Sequence, residues 1–321
     1  MSLGVIIIGR NEGDRLVRGL ASVQSAARII YVDSGSTDGS QAAAEQAGAE
    51  VVALDMSQPF TAARARNAGL DHMRSNGAAP EFVQFMDGDC ELQPGWFDTA
   101  RAFLAAHTDV GIVFGRRRER FPDATIYNRL CDWEWDVPIG EARACGGDAL
   151  MRMAALAAID GYNPTLIAGE EPEMCVRMRA AGWKVWRLDA EMTWHDAAMT
   201  RFGQFWSRAR RAGHAWAQGA FMHGAPPERH CVADVRRILT WGLAVPAAIL
   251  ALALLLSPWA LALFSVYPLR AARMARRSGG ARTDWERASL IVTGQFAEAI
   301  GALEFYLRRL AGRPRGLIEY K

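Results

Sequence analysis

The first 200 residues alternate short apolar runs with longer stretches in which apolar residues recur at helical spacing. Apolar runs at 5–8, 28–33, 50–54 and 81–87 each lead into a polar turn, and helix-like stretches such as 14–26 lie between them. Strands that alternate with helices predict an α/β fold, with a mostly parallel sheet and helices on both of its faces. In such a sheet the ligand site lies at the carboxyl ends of the strands.

Polar side chains collect at three of these strand ends. They are Arg10 and Glu12 after the first strand, Asp33 and Ser34 after the second, and Asp87 and Asp89 after the fourth. Because the carboxyl ends of parallel strands meet at one edge of a sheet, these six side chains are expected to converge on a common site.

Asp87 and Asp89 flank a single glycine in the segment QFMDGDCEL. Two carboxylates this close repel each other, and a shared cation would compensate the repulsion. Their hard oxygens suit Mg²⁺ or Mn²⁺. Taken alone, the pattern is also typical of a solvated turn. No G-x-G-x-x-G follows the first strand and no G-x-x-x-x-G-K-[ST] occurs, so a dinucleotide fold and a P-loop ATPase are excluded.

Residues 201–321 carry a positive charge that the first 200 residues lack. They hold 18 Lys and Arg against 7 Asp and Glu, net +11, whereas residues 1–200 hold 19 against 28, net −9. A basic segment suits nucleic acid or an anionic membrane. Residues 238–269 decide between the two, because 32 consecutive positions without a charged side chain predict a membrane segment.

The membrane segment is too long for one straight span. As a single helix, residues 238–269 would extend about 48 Å, against roughly 30 Å of hydrocarbon. Arginines flank it at both ends: Arg236 and Arg237 before it, and Arg270, Arg273, Arg276, Arg277 and Arg282 after it. Since positive flanks stay cytoplasmic, we expect a re-entrant hairpin that turns at Ser257-Pro258, or two short spans. A single kinked span and a buried helix pair are the alternatives.

A further helix is predicted over 284–313, where apolar residues recur at steps of three and four. They are Val292, Phe296, Ile300, Leu303, Leu307 and Leu310, and Arg308, Arg309, Arg313 and Arg315 cluster at its end. This helix would lie in the lipid headgroup layer or pack on the hairpin. The chain is thus divided into an α/β domain over 1–200, basic interface helices over 201–237, the membrane segment over 238–269, and a basic amphipathic helix and tail over 270–321.

Five cysteines are scattered without a C-x-x-C pair, which argues against a disulfide framework and a thiolate zinc site and indicates a reducing compartment. The N-terminal MSLGVIIIGRNE has a short apolar core, no basic leader and no cleavage site, and it is expected to form the first strand instead of a signal peptide.

Six segments in order resemble the motifs of family 2 glycosyltransferases with the GT-A fold. They are VIIIGRNE, YVDSGSTDGS, ARARNAGL, FMDGDCEL, ACGGDALMR and GEEPEMCVRMRAAGWKVW, and together they cover roughly residues 3–200. The ordered set is far more specific than any one motif. The hydrophobic segment and the final LIEYK look like those of bacterial, membrane-associated members that build surface polysaccharides.

The resemblance implies a role for each matching residue in a nucleotide-sugar-binding catalytic domain over 1–200. Around the base and ribose of the nucleotide sugar it implies Arg10, Glu12, Asp33, Ser34, Arg66 and Asp87. It implies Asp89 as the main metal ligand, Asp87 near the ribose or the metal, and His195 as a further ligand. Gly146, Gly147 and Asp148 would line the sugar and acceptor pocket, where the glycines allow close backbone approach.

The catalytic base implied by the resemblance falls on Glu171, with Glu170 as the alternative. Relatives commonly have Glu-Asp where this chain has Glu170-Glu171. A carboxylate that takes the acceptor proton opposite the leaving group would give inversion. The same acidic run, with Pro172 and Glu173, is also typical of a helix start that favours the helix dipole. His195 beside Trp194 is equally compatible with simple packing.

The predicted function is an inverting, metal-dependent hexosyltransferase using Mg²⁺ or Mn²⁺ and a nucleoside-diphosphate sugar. The Q-x-x-R-W motif of processive relatives is absent, which favours one sugar per encounter. The acceptor is expected to be a lipid-linked saccharide or polysaccharide precursor at the cytoplasmic face of the inner membrane, with membrane lipids and not nucleic acid as partners. A sugar nucleotidylyltransferase and a non-catalytic membrane scaffold are the alternatives. Arginines 116–120 would meet acceptor phosphates or form a solvated basic strand end.

Overall fold

The computed structural model describes residues 2–312. The chain divides into two compact units. The first, here the sheet unit, comprises Met1–Pro122 and Cys131–Ala198, and the second, the helical unit, comprises Asp123–Leu130 and Met199–Lys321. The final LIEYK, Arg313 and Arg315 lie outside the described residues.

Nine strands and most of the shorter helices alternate along the first 195 residues. The strands are β1 (Leu3–Gly9), β2 (Arg28–Asp33), β3 (Glu50–Ala53), β4 (Phe82–Asp87), β5 (Cys90–Leu92), β6 (Val110–Glu119), β7 (Gly140–Ala142), β8 (Ala149–Arg152) and β9 (Lys184–His195). The helices are α1 (Asp14–Ser22), α2 (Ser40–Gln46), α3 (Ala62–Ser75), α4 (Trp96–Ala106), α5 (Ile126–Glu134), α6 (Met153–Ala158) and α7 (Glu170–Ala180).

All nine strands form one sheet, in the order β3-β2-β1-β4-β8-β6-β9-β5, with β7 paired to β9. The α/β prediction is confirmed. The first four strands run parallel, as the alternation of strands and helices predicts. From β8 onward the directions are mixed, because β8 is antiparallel to both β4 and β6, while β6 and β9 are parallel. The short strands β5 and β7 both pair antiparallel with β9.

The interior of the sheet unit explains why its central strands read as continuous apolar runs. Val5, Ile6 and Ile7 of β1 are fully buried although successive side chains point to opposite faces of the sheet. Helices therefore cover both faces, as expected for a parallel sheet.

The helical unit contains the remaining helices. They are α8 (Phe202–His223), α9 (Val232–Leu239), a π-helical turn (Thr240–Ala244), α10 (Val245–Leu255), a 3₁₀ helix (Pro258–Ser265), α11 (Val266–Arg277) and α12 (Arg282–Leu310). Helices α8 and α12 cross in direct backbone contact. A Cβ on Gly213 would lie 1.8 Å from the carbonyl oxygen of Glu298, and one on Gly301 would lie 1.9 Å from that of Arg210, so only glycine fits at the crossing.

Helix α12 buries part of the predicted apolar stripe, including Val292, and exposes the leucines at its end. Its buried residues are mostly small, including Ala288, Ala299 and Ala302, whereas Leu307 and Leu310 at its end are 62% and 84% exposed. Small residues let the helices approach closely, and this close packing outweighs the burial of larger side chains. The helix packs on α8 and α11, which is one of the two predicted arrangements.

The apolar segment doubles back at Ser257-Pro258. The Tyr267 hydroxyl donates to the carbonyl oxygen of Trp241 at 2.6 Å, which brings the two arms together. Large apolar side chains at the bend are exposed, among them Leu254 and Trp259, each at 86%. By length and composition, Val232–Leu255 and Arg282–Leu310 are long and apolar enough to cross a membrane.

Candidate active site

The carboxyl ends of β1, β2 and β4 meet at one edge of the sheet. The strand register pairs Gly9 with Asp33 and Ile8 with Asp87. The backbone N–H of Gly88 donates to the carbonyl oxygen of Ile8 at 2.8 Å, which fixes the turn after β4. Polar residues from three separate strands therefore lie along one edge.

Asp33 is held as an ionised hydrogen-bond acceptor within this edge. The Tyr31 hydroxyl donates to its Oδ1 at 3.0 Å, and the backbone N–H groups of Gly35 and Ser36 and the Gln41 amide donate to Oδ2 at 2.7–3.0 Å. Burial raises the pKa of a carboxyl, but the hydrogen bonds from Ser36, Gln41 and Tyr31 outweigh burial and lower the pKa of Asp33.

The other residues predicted at the nucleotide lie beside Asp33. Ser34 is fully buried, and its hydroxyl has no hydrogen-bond partner among residues 2–312. Glu12 forms an ion pair with Arg15 at 2.7 Å, and Arg10 is exposed. A buried hydroxyl without a partner is a candidate contact for a ligand. The roles of these residues at a base or ribose stay predictions.

Gly88 is required between the two aspartates by close packing. A Cβ at this position would lie 2.9 Å from Cγ of Glu12 and 3.2 Å from the carbonyl oxygen of Ile8. The turn after β4 therefore runs against the turn after β1, and a side chain at position 88 would force them apart.

Asp89 belongs to a cluster of four potential metal ligands. One ligand atom from each of Asp87, Asp89, Cys90 and His195 lies within 4.8 Å of all the others. The cluster forms because antiparallel pairing of β5 with β9 sets Cys90 opposite His195. Nε2 of His195 lies 3.3 Å from Oδ1 of Asp89, and both side chains are buried.

The chemistry of this cluster fits a hard divalent cation. Carboxylates and an imidazole are suitable ligands for Mg²⁺ or Mn²⁺. Nδ1 of His195 is buried without a hydrogen-bond partner among the described residues and faces Oε2 of Glu119 at 3.9 Å, which leaves Nε2 for a cation. Burial, reinforced by the charge of Asp148, raises the pKa of Cys90, so this residue is a neutral thiol and a poor ligand. The cluster confirms the prediction of a Mg²⁺ or Mn²⁺ site.

Asp87 lies between two buried guanidinium groups. Oδ1 accepts a hydrogen bond from Nη2 of Arg66 at 2.8 Å, and Oδ2 accepts one from Nη2 of Arg117 at 3.2 Å. Asp148 accepts from Nε of Arg117 and from the Thr193 hydroxyl, each at 2.8 Å. With both oxygens engaged by arginines, Asp87 offers less to a cation than Asp89 does.

The sequence singled out Arg117 only as one of arginines 116–120, and the structure places it at Asp87 and Asp148 instead of at a solvated strand end. Arg116 is buried and contacts Asp132 at 2.8 Å, and Arg118 forms an ion pair with Glu191 at 2.6 Å. Successive side chains of a strand point to opposite faces, so the middle arginine of the three enters the site while its neighbours do not. The alternation of side chains between the two faces of a strand is the sequence signal that would have identified Arg117.

Glu170 and Glu171 begin α7, directly after Gly169, whose φ of 76° turns the chain into the helix. Nη1 of Arg66 lies 3.1 Å from Oε1 of Glu170 and 2.8 Å from Oε1 of Glu171. Arg66 therefore connects the start of α7 with Asp87 at the end of β4. The predicted base and two of the predicted nucleotide-binding residues, Arg66 and Asp87, lie in one network.

Glu171 has a raised pKa within this network. Burial and the neighbouring charge of Glu170 raise the pKa of Glu171 to about 7, although Arg66 opposes them. A carboxylate with a pKa near neutrality is suited to take a proton from a hydroxyl.

Gly146 and Gly147 come before Asp148 and differ in their surroundings. A Cβ on Gly147 would lie 2.7 Å from Nη2 of Arg66 and 2.8 Å from Oδ2 of Asp87, whereas one on Gly146 would meet open space. Gly147 thus allows the Arg66–Asp87 pair to form. Gly146 leaves room for a ligand.

Comparison with known families identifies the domain that contains most of these residues. The family model described as Glycosyl transferase family 2 matches residues 4–158, which contain Asp33, Arg66, Asp87, Asp89 and the Gly146–Asp148 turn. The chain carries a family 2 glycosyltransferase domain. This finding confirms the predictions of a glycosyltransferase and of its family.

Relatives of this glycosyltransferase include a polysaccharide biosynthesis protein. The chain is 24% identical over 175 residues to the succinoglycan biosynthesis protein ExoA of Rhizobium meliloti (strain 1021). The match covers 51% of this chain and 52% of that protein, so the chain spans about half the length of this curated relative.

Solved structures confirm the GT-A fold. The mannosyltransferase PcManGT from Pyrobaculum calidifontis, in complex with GDP-Man and Mn²⁺, superposes with a TM-score of 0.65 at 20% identity, covering 94% of this chain and 86% of that one. Glucosyl-3-phosphoglycerate synthase from Mycobacterium tuberculosis, in complex with Mn²⁺, UDP and phosphoglyceric acid, gives 0.52 at 16% identity, covering 70% and 79%. At these identities the likeness concerns the fold.

Proposed function

We propose that this glycosyltransferase moves one sugar, with inversion, from a nucleoside-diphosphate sugar to a hydroxyl group of a lipid-linked saccharide. The observation that carries the proposal is the Arg66 network, which joins a carboxylate of near-neutral pKa, Glu171, to Asp87 beside the metal cluster. Displacement of a diphosphate by a hydroxyl requires a base and a positive charge at the leaving group. Arg66 links the candidate base to the candidate cation site.

Asp89 and His195 would hold the cation, with Asp87 at its side. When bound, a divalent cation supplies the positive charge that stabilises a departing diphosphate. Arg117 keeps Asp87 and Asp148 in place through its contacts with both. The protein's own part is thus to fix the carboxylates in a buried setting, where charge interactions are stronger than in water.

The nucleoside would bind along the ends of β1 and β2. Asp33 is ionised and rigidly held, so it is suited to accept hydrogen bonds from a base or ribose. The unpartnered Ser34 hydroxyl and the exposed Arg10 lie at the same edge. The sugar would then occupy the space over Gly146, next to Glu171 and Asp148.

Glu171 would act as the base. Its carboxylate takes the proton of the acceptor hydroxyl as oxygen forms a bond to the anomeric carbon and the bond to the diphosphate breaks. Attack from the side opposite the diphosphate inverts the configuration at that carbon, by the same stereochemical logic as in inverting glycosidases. Arg66 orients the carboxylate through Nη1, which lies 2.8 Å from Oε1 of Glu171.

A thermal-shift screen identifies the sugar donor. Purified protein is mixed with Mn²⁺ and each of the common nucleoside-diphosphate sugars, and a ligand that binds only the native state raises the melting temperature. We expect one nucleotide class to give a shift that disappears with excess EDTA. An Asp33→Asn variant should lose the shift, while Asp55→Asn, at an exposed position, should keep it. A shift that persists in EDTA and in Asp33→Asn would contradict the proposed binding mode.

The helical unit would hold the enzyme at the cytoplasmic face of the membrane. Leu254 and Trp259 expose apolar surface at the bend, and the arginines of α11 follow it in the chain. An apolar bend followed by a basic helix suits insertion into one leaflet with arginines at anionic headgroups. This position favours an acceptor that is itself anchored to lipid.

Removing the apolar bend should weaken membrane binding. In Leu255→Ser/Trp259→Ser, partition onto vesicles containing phosphatidylglycerol should fall at least about tenfold per side chain, given the apolar area removed. Vesicle flotation measures the bound fraction. Trp133→Ser, which removes a 46% exposed tryptophan of the sheet unit, is the matched control and should bind as wild type. Unchanged flotation of the double variant would contradict insertion of the bend.

A further inference from the structure

The sheet unit contains a second polar cavity, distinct from the Arg66 network. Its volume is about 570 Å³, within the range of small-molecule sites, and its walls come from β6, β9 and residues 136–139. Arg116 and Arg118 line it, whereas Arg117 between them points to Asp87 and Asp148. The alternation of β6 thus places the cavity on the other side of the strand from the metal cluster.

The cavity has two buried guanidinium groups. Arg116 is 6% exposed and is compensated by Asp132 at 2.8 Å. Arg187 is 3% exposed, and its Nη1 donates to the carbonyl oxygen of Leu188. Nε of Arg187 is buried and has no hydrogen-bond partner within residues 2–312. Burial lowers the pKa of Arg187. The charge of Asp136 opposes this shift, and the charge of Arg116 lowers the pKa further.

A buried guanidinium with an unpartnered Nε–H has a donor edge suited to an oxyanion. Nε–H and the neighbouring Nη2 form a planar fork that matches the two oxygens of a carboxylate or phosphate. Leaving this Nε–H unpaired in a buried position costs free energy, and an oxyanion in the cavity would remove that cost. Arg187 is therefore the strongest ligand-directed feature outside the metal cluster.

The remaining walls suit a sugar ring attached to that oxyanion. Asp136, Asp189 and Glu191 are exposed and can accept hydrogen bonds from hydroxyl groups. Val137 and Ile139 line the cavity with exposed apolar surface. Asp136 pairs with Arg116 at 3.5 Å and Glu191 pairs with Arg118 at 2.6 Å, so a sugar ring would add hydroxyl contacts at these acids that a free anion cannot make.

The segment 135–139 connects the cavity to the active site. The Trp135 ring packs edge-on against His195 with ring centroids 4.6 Å apart, and the guanidinium of Arg117 lies 5.3 Å from the Trp135 ring centroid. The next residue, Asp136, lines the cavity. Since consecutive Cα atoms are about 3.8 Å apart, the backbone at residues 135–136 links the wall of the cavity to the side chains around His195.

We propose that the cavity at Arg187 binds a carboxylate or phosphate group on the acceptor saccharide. The substrate class is then an acidic saccharide, held with its acidic sugar in the cavity. This inference rests on the proposed function for the identity of the acceptor. The proposal accounts for the buried Nε–H of Arg187, which has no hydrogen-bond partner among residues 2–312 and which the transfer chemistry does not use.

Calorimetric titration of the full-length protein tests the cavity directly. Mg²⁺ and a nucleoside diphosphate are added first, to fill the donor site. Methyl β-glucuronide and glucose 6-phosphate are then titrated, with methyl β-glucoside as the neutral match and inorganic phosphate as the free ion. We expect both acidic sugars to bind about tenfold or more tightly than the glucoside, since a hydrogen bond to a charged group contributes that much. If inorganic phosphate binds as tightly as glucose 6-phosphate, the sugar ring adds nothing to binding. That result would contradict the proposal that the oxyanion is carried by a sugar.

Two variants connect the preference to the cavity. Arg187→Gln should abolish the preference for acidic sugars, and Ile139→Asp, at a 59% exposed position, should weaken it through charge repulsion. Arg101→Gln removes an arginine of α4 that lies outside the cavity. This variant should keep the preference for acidic sugars. Nucleoside diphosphate binding in the same cell reports that each variant is folded. A preference that survives both cavity variants overturns the proposal.

The two proposals fail in different ways. If the wild-type protein binds no nucleoside diphosphate with Mg²⁺, the proposed function is contradicted. If it binds the nucleotide but treats glucuronide and glucoside alike, only the assignment of the cavity is contradicted.

Discussion

Asp89→Ala loses metal-dependent sugar transfer by at least about 10²-fold, because it removes the carboxylate at the centre of the ligand cluster. Asp89 is buried beside His195 at 3.3 Å, and Asp87 cannot replace it while both of its oxygens contact arginines. The loss should appear first in cation binding. Titration of Mn²⁺, followed by the electron paramagnetic resonance signal of the free ion, measures this affinity without any turnover.

The matched control for Asp89 is Asp109→Ala. Asp109 is exposed and pairs with Lys184, outside the ligand cluster, so its removal should leave both Mn²⁺ affinity and transfer unchanged. The fold and vesicle binding of Asp89→Ala should equal those of wild type. An Asp89→Ala protein that binds Mn²⁺ and transfers sugar normally would rule out this metal site.

Glu171→Gln is the second variant with a large expected effect. It keeps the shape of the side chain but cannot accept a proton, so kcat should fall by about 10²–10⁴-fold while nucleotide-sugar binding persists. Glu170→Gln is the matched control and should lower kcat less, because Glu170 serves mainly to position Arg66. Steady-state kinetics with the donor found in the screen gives both numbers. If Glu170→Gln is the dead variant and Glu171→Gln is active, the base is Glu170.

The pH dependence of sugar transfer should follow the ionisation of Glu171. Burial, with the charge of Glu170, raises the pKa of Glu171 to about 7, and a protonated carboxyl cannot act as a base. Wild-type kcat/KM should therefore rise roughly tenfold between pH 6 and pH 8 and level off above. Because Glu170 and Glu171 interact, the apparent value belongs to the pair. A profile that is flat over this interval would contradict a base of near-neutral pKa.

The edge of the parallel strands could be predicted because local signals and topology agree there. Each of β1, β2 and β4 is a buried apolar run that ends in a polar turn, and parallel pairing brings such ends together. Asp33, Asp87 and Asp89 thus converge as their sequence positions imply. Gly88 between the aspartates has a packing reason that only the contact with Glu12 and Ile8 reveals.

The other half of the site depends on pairings that the sequence does not encode locally. Arg117 reaches Asp87 because β6 pairs with both β8 and β9, and a run of arginines read without its strand partners looks like a solvated face. The packing of α12 likewise depends on a contact between distant helices. Gly213 and Gly301 allow backbone contact between helices, and this close approach buries alanines in place of the larger leucines.

The central claim is that this protein transfers a sugar from a nucleotide sugar at the Asp89–Glu171 site. The most direct test follows phosphorus by ³¹P NMR while the wild-type protein is incubated with Mg²⁺, the nucleotide sugar found in the screen and a membrane lipid extract. The account predicts conversion of the nucleotide sugar to nucleoside diphosphate, stopped by EDTA and absent in Glu171→Gln. No turnover with any nucleotide sugar, or the same turnover in Glu171→Gln as in the wild type, would contradict it.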